Sequence, residues 1–168
     1  SRNVDPIESA VVSVTQFHAG DTWNVIPDAA VVRGTARAFS AEVRDLLERR
    51  LREICAGIAS AHGTQVKVRY ERRYPPLINA APETEICASV LQSMVGTDNV
   101  LQVPPVMGSE DFAFMLQAKA GCYVFVGNGP GEGGCMLHNP HYDFNDQILP
   151  LGASYWANLV EHILAARA

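Results

Sequence analysis

Two runs rich in β-branched residues, separated by a turn-forming segment, constrain the first half of this chain most strongly. Residues 10–17 and 30–39 are rich in valine and threonine, and Gly20, Asn24 and Pro27 lie between them. β-Branched side chains favour strands, whereas glycine, asparagine and proline favour turns. The pattern therefore predicts two strands joined by a loop.

The sequence after the second run predicts a long helix. Ser40 can cap its N-terminus, Glu42 lies in its first turn, and apolar residues recur at helical spacing until Gly63. Residues 65–72 then alternate apolar and polar side chains, which predicts a third strand. A face of small residues on the second strand suits close contact with the helix, and the apolar stripe from Leu46 to Ile58 is expected to be core. The small residues are Val32, Gly34, Ala36 and Ala38.

A proline-rich segment at residues 74–82 predicts a boundary between two domains, residues 1–78 and 79–168. The second domain has a different order of elements, in which helices alternate with short apolar runs. We therefore predict the α/β fold class, with an α+β first domain and a second domain whose sheet is covered by helices. The predicted elements are a helix from about Glu83 to Gly96, a strand at 100–103, a helix capped by Ser109 through Leu116, a buried strand at 122–126 and a helix from about Pro150.

Composition and charge exclude several classes of function. The chain has 168 residues, is 48% hydrophobic and carries a formal net charge of -5. It can therefore form a sizeable core, but it lacks the basic surface that a nucleic-acid binder needs. No window approaches the roughly eighteen apolar residues of a membrane span. Cys55, Cys87, Cys122 and Cys135 form no C-x-x-C pair and are interpreted as reduced thiols. We expect a soluble, cytoplasmic protein.

Metal-ligand chemistry is concentrated near the C-terminus. Residues 137–146, LHNPHYDFND, place two histidines beside asparagine and aspartate side chains. Imidazole nitrogen and carboxylate oxygen are common ligands of divalent metals. Pro140 disfavours a helix at Asn139, so we predict a loop that follows the apolar run at 122–126. A zinc site needs three or four protein ligands, so the remaining ligands must come from elsewhere.

Three segments in this order resemble the dimetal amidohydrolases and metallopeptidases of the aminoacylase, hippurate hydrolase and carboxypeptidase G type. They are NVIPD at 24–28 with GTAR at 34–37, GSEDFA at 108–113, and LHNP at 137–140. The chain is most similar to the branch that hydrolyses hippurate and indoleacetyl amino acids. The resemblance extends over essentially the whole chain, and the joint occurrence of the motifs makes it specific.

The resemblance implies a two-domain hydrolase in which a ferredoxin-like lid, which also mediates dimerisation, interrupts a catalytic domain. Residues 1–78 resemble the latter part of the lid, and residues 79–168 resemble the C-terminal part of the catalytic domain. The family's histidine-rich first metal motif, its paired glutamates and its lid histidine are not found in this sequence. We therefore expect a C-terminal fragment of a longer, homodimeric enzyme.

The resemblance implies that His138 ligates one of two divalent ions, which are zinc, manganese, cobalt or nickel in such enzymes. Without that context, a loop histidine is more often solvated or hydrogen-bonded than a ligand. The family motif fixes no histidine at position 141. We therefore interpret His141, Asp143 and Asp146 as groups that orient the metal-binding histidine, cap a helix or turn, or face solvent.

Asn24 and Arg37 match lid positions that contact the amide or carboxylate of the substrate in related enzymes. A guanidinium can bind a carboxylate through two parallel hydrogen bonds, and a carboxamide can donate to a developing oxyanion. The alternatives are a surface strand residue for Arg37 and a turn residue for Asn24. In relatives, the backbone at the position of Gly108 lies near the substrate.

Three further polar residues near these motifs are given structural interpretations. His18 lies six residues before Asn24, where the family has no fixed histidine, and is interpreted as a strand-end residue. Glu110 and Asp111 are interpreted as first-turn residues of the capped helix that follows Gly108.

The implied reaction is hydrolysis of the amide bond of an N-acyl amino acid or small peptide by a metal-activated water, with a glutamate transferring the proton. This chain would contribute one metal ligand and part of the substrate site, so the 168 residues alone are expected to be inactive. The alternative is a non-catalytic dimerisation or binding module built on an exposed strand edge.

Overall fold

The structure, a computed structural model, describes residues 3–129 and 135–165. The chain divides into two compact units, one of Ser1–Leu77 with Pro105–Phe114 and one of Ile78–Pro104 with Met115–Ala168. The assignment of these units to a lid domain and a catalytic domain stays a prediction.

The sheet of the first unit consists of two antiparallel strands, β1 (Ala10–Ala19) and β2 (Ala30–Ala38), which the sequence predicted. Val14 lies opposite Gly34, and a β-bulge follows directly after Val14. A Cβ atom at position 34 would lie 2.1 Å from the carbonyl oxygen of Ser13. Glycine is therefore required here by the close approach of the two backbones, rather than by contact with a helix.

Helix α1 (Ala41–Ala61) follows β2 and contacts it. The side chain of Ser40 accepts a hydrogen bond from the Val43 N–H at 3.2 Å, which confirms the predicted cap. Val43 is buried, but Ile54 and Ile58 are 43% and 59% exposed, so the expectation that the whole apolar stripe is core was wrong. Among the described residues, the helix has a sheet of only two strands to cover.

The small-residue face of β2 meets the helix only in part. Ala36 and Ala38 are half-buried, whereas Val32 and Gly34 are exposed. The prediction that this face contacts a helix therefore holds at most for the end of the strand that leads into α1. The other end remains uncovered by the described residues.

Residues 65–72 do not form the predicted third strand. Side chains of α1 hold this segment instead: Arg52 donates to the Val68 carbonyl at 2.9 Å, and Arg72 pairs with Glu48 at 2.7 Å. Hydrogen bonds from Arg52 and Arg72 lower the pKa of the Glu48 carboxyl group. A strand needs a neighbour that pairs with its backbone, and among the described residues only β1 and β2 pair.

The core of the second unit lies around α2 (Ala81–Val95). Cys87 and Val90 of this helix pack against Tyr155, and Cys122 lies against the same cluster. Burial raises the pKa of the Cys122 thiol, and burial with a hydrogen bond to Cys87 raises the pKa of Tyr155. The sequence predicted this helix to within two residues at its start.

A short helix, α3 (Phe112–Ala118), follows the predicted cap at Ser109. Because the helix begins three residues after Ser109, that cap was wrong, and Glu110 and Asp111 precede the helix instead of lying in its first turn. The Glu110 carboxylate accepts from the Asp111 N–H at 3.1 Å. Such local side-chain bonds compete with helix formation and delay its start.

The last helix, α4 (Leu149–Ala165), contacts α2 and agrees with the predicted helix from about Pro150. A single 3₁₀ turn, Asp146–Ile148, leads into it. In the part of the chain that the structure describes, no helix is both long and apolar enough to cross a membrane.

Residues 122–126 are not the predicted strand buried on both faces, and Phe125 is 66% exposed. The carboxamide of Asn79 donates to the Tyr123 carbonyl at 2.9 Å and accepts from the Tyr123 N–H at 2.8 Å. A side-chain amide thus takes the place of a neighbouring strand. Residues 100–103 also form no strand, because no partner strand lies within the described ranges.

Candidate metal and substrate site

His138 lies at the third position of a tight turn and has a φ of 71°. The Asn139 N–H donates to the Met136 carbonyl at 3.2 Å and closes this turn. The third position of such a turn is usually glycine or asparagine, because a positive φ strains most side chains by roughly 1–3 kcal/mol. Of the non-glycine residues in the described ranges, His138 alone has a positive φ. Backbone strain of this kind is concentrated at functional sites.

A second turn follows immediately and confirms that this segment is a loop. The Tyr142 N–H donates to the Asn139 carbonyl at 3.0 Å, and the His141 N–H donates to the Asn139 Oδ1 atom at 2.9 Å. Pro140, at the second position, fixes a φ that suits the turn. The side chains of His138 and His141 are both exposed.

The donor set around His138 fits one ligand position and not a complete metal site. No group of three His, Cys, Asp or Glu side chains that could hold a metal ion occurs within residues 3–129 and 135–165. Asp143 and Asp146 are exposed, and Asp146 begins the 3₁₀ turn before α4. A metal at His138 therefore needs ligands from outside the described residues.

Two asparagine side chains join the segments on either side of this loop. The Asn145 N–H donates to the Asn128 Oδ1 atom at 2.8 Å, and the Asn145 Nδ2 atom donates to the Asn128 carbonyl at 3.0 Å. Asn128 Nδ2 in turn donates to the Asp143 carbonyl at 2.8 Å. Sequence analysis missed this pair. The sequence signal available was only an asparagine before a turn, since the partner lies 17 residues away.

Arg37 lies near the end of β2, is half-buried, and its Nη1 atom donates to the carbonyl oxygen of Met107. This bond brings Arg37 to the backbone directly before Gly108, within the first unit. A Cβ atom at Gly108 would meet no described atom within 4 Å. A guanidinium has several N–H donors, so the bond to Met107 leaves others for a carboxylate. The structure therefore brings two of the predicted substrate residues into one region.

Asn24 lies at the other end of the hairpin, in the loop between β1 and β2. Its Oδ1 atom accepts a hydrogen bond from the Thr22 hydroxyl at 3.2 Å, and its side chain is exposed. The strand from Ala30 to Arg37 spans about 23 Å at roughly 3.3 Å per residue. The structure thus does not bring Asn24 and Arg37 together. His18 is paired with a β2 residue near the end of β1, as predicted.

Comparison with known protein families identifies the chain. The model of peptidase family M20/M25/M40 matches residues 5–162. The chain belongs to this family. The predicted resemblance to dimetal amidohydrolases and metallopeptidases is therefore confirmed.

Individual M20 proteins are similar along nearly the whole chain. A hippurate hydrolase of Campylobacter jejuni is 39% identical over 160 residues, which cover 95% of this chain and 41% of that protein. An IAA-amino acid hydrolase of Arabidopsis thaliana is 34% identical over 170 residues, covering 98% of this chain and 39% of that protein. The chain thus spans about two fifths of the length of the curated relatives it matches.

A solved structure supports the fold assignment. The crystal structure of a Bacillus subtilis protein, described as a dinuclear metal binding peptidase from the M20 family, has a TM-score of 0.77 and 30% sequence identity. The match covers 93% of this chain and 42% of that one. The predicted α/β fold class is therefore confirmed, although the three strands predicted at 65–72, 100–103 and 122–126 are not formed.

Proposed function

We propose that this chain is the part of an M20 metallohydrolase that supplies one metal ligand and part of the substrate site. The enzyme hydrolyses the amide bond of N-acyl amino acids of the hippurate type. The observation that carries the proposal is the exposed imidazole of His138 on a backbone with a φ of 71°. A strained backbone of this kind persists only where the surrounding structure holds it, as happens at functional sites.

His138 would hold one divalent ion together with ligands from outside the described residues. The chemistry that a pair of such ions supplies when bound is activation of a water at neutral pH and polarisation of the amide carbonyl. The ions would be zinc, manganese, cobalt or nickel, the metals that the resemblance to the dimetal amidohydrolases implies.

Arg37 binds the carboxylate of the substrate, next to the backbone at Gly108. Two features support this role. The guanidinium is oriented by its bond to the Met107 carbonyl, and the space beside Gly108 is open among the described residues. An oriented guanidinium loses less entropy when it forms two parallel bonds to a carboxylate.

The enzyme works as a homodimer in which Asn24 serves the active site of the partner subunit. The support for this proposal is the length of β2. About 23 Å of strand separates Arg37 from Ala30, where the loop that carries Asn24 joins β2, and this is longer than a hippurate-sized substrate. If both side chains contact one substrate, they come from two copies of the chain.

A cytoplasmic location fits the thiols of the protein. Cys55, Cys87 and Cys122 are free thiols, as is usual in reducing compartments.

The test of the proposed function is the activity of the complete enzyme on N-benzoylglycine and on indoleacetyl-alanine. We expect hydrolysis that stops when a chelator removes the metal and returns with zinc or manganese. A complete protein that hydrolyses neither substrate with any of the four metals, but still forms a dimer, would instead support the non-catalytic binding module.

A further inference from the structure

An asparagine pair holds the segment that follows His138. We call Asn128 and Asn145 the asparagine clamp. Asn128 lies four residues after Val124, which packs against the core cluster of the second unit, and Asn145 precedes the 3₁₀ turn into α4. The clamp therefore ties the segment that follows His138 to a part of the second unit that packs against its core.

Hydrogen bonds engage the polar atoms of both clamp side chains. Asn145 donates through its backbone N–H and its Nδ2 atom to Asn128, and its Oδ1 atom accepts from the Gln147 N–H at 3.1 Å. Asn128 accepts through Oδ1 and donates through Nδ2 to the Asp143 carbonyl. Both residues are half-buried. Networks of this kind rigidify their surroundings when every member is satisfied.

We infer that Asn128 and Asn145 are positioning residues for the imidazole of His138. The inference rests on the proposed role of His138 as a metal ligand. A histidine remains at a φ of 71° only if the surrounding structure enforces it. The hydrogen bonds of the two turns are local to the loop, so they set its shape but not its direction. The clamp supplies the direction, because it connects the loop to the core of the unit.

The first measurement concerns the metal-free enzyme. Hydrogen exchange is followed at the amides of Asn139 and Tyr142, which close the two turns. Asn145→Ala and Asn128→Ala should accelerate exchange at both amides. Asn79→Ala is the matched control, since it also removes a carboxamide with two backbone hydrogen bonds, here to Tyr123. This control should leave exchange at both loop amides unchanged.

The second measurement is the zinc affinity of the same variants, determined by competition with a chelator. Removal of groups that orient a metal ligand typically weakens metal binding by about 10–100-fold. We expect that loss for the two clamp variants and less than a threefold change for Asn79→Ala. If Asn145→Ala does not fold, Asn145→Asp keeps the acceptor for Gln147 and replaces the donor to the Asn128 carbonyl by a carboxylate oxygen.

His138→Ala separates the two ways in which the inference can fail. If His138→Ala retains both zinc ions at wild-type affinity, the ligand role in the proposed function is wrong, and the positioning role is wrong with it. If His138→Ala loses one zinc ion but the clamp variants bind zinc as tightly as Asn79→Ala, only the positioning role is overturned.

Discussion

Mixed dimers of two impaired variants test whether Asn24 and Arg37 act from different subunits. In the complete enzyme, Asn24→Ala and Arg37→Ala each remove one group from every active site. In a hybrid dimer of the two variants, one active site regains both groups, provided that Asn24 reaches across to the partner. The other active site lacks both.

The expected recovery follows from the hairpin geometry and from subunit statistics. Because about 23 Å of strand lies between Arg37 and the loop that carries Asn24, we expect one protomer not to supply both groups to one substrate. Random reassortment makes about half of the dimers hybrid, and each hybrid has one intact site of two, so roughly a quarter of wild-type activity should return.

The assay mixes the purified variants under conditions that exchange subunits, and then follows hydrolysis of N-benzoylglycine. Each variant incubated alone is the baseline, and exchange is measured separately from the capture of mixed dimers of two differently tagged protomers. Activity that stays at the sum of the two baselines, although exchange is demonstrated, would refute the argument from strand length.

Three further outcomes are expected. In the complete enzyme, Arg37→Ala should lower the transition-state stabilisation of N-benzoylglycine, measured from kcat/KM, by about 1.5–3 kcal/mol. The loss for N-benzoylglycinamide should be much smaller, because only the acid offers a carboxylate. Arg37→Lys keeps a donor for Met107, and equal losses on acid and amide would show that Arg37 is structural. The 168-residue chain alone should not hydrolyse N-benzoylglycine with added zinc or manganese, and turnover above that of its His138→Ala form would contradict this. Burial raises the pKa of the Cys122 thiol, so iodoacetamide at pH 8 should modify Cys122 far more slowly in the native protein than in the unfolded protein. Equal rates would show that this thiol is accessible and ionised.

Local sequence signals predicted the helices well. Ser40 was identified as a cap because its partner, the Val43 N–H, lies three residues away. The start of α3 was the exception, since Ser109, Glu110 and Asp111 can all bond nearby backbone groups and the sequence does not rank them. The two strands of the hairpin were also found from local signals, because each is a β-branched run bounded by turn-forming residues.

Features that depend on distant partners were not predicted. Residues 65–72 have the alternation of a strand, but no described strand pairs with them. The carboxamides of Asn79 and Asn145 bond residues 44 and 17 positions away, and composition gives no sign of such pairing. The candidate site was predicted from motifs alone, so the separation of Asn24 from Arg37 and the bond from Arg37 to Met107 required the structure.

The central claim is that His138 ligates a catalytic metal, and the metal content of two variants tests it most directly. Elemental analysis of the complete enzyme compares wild type, His138→Ala and His141→Ala. The second variant is a close control, because it loses an exposed imidazole three residues away while its backbone bond to Asn139 remains. We predict that His138→Ala loses one metal equivalent and nearly all activity, and that His141→Ala keeps both. Loss of metal from His141→Ala with full metal content in His138→Ala would contradict the account.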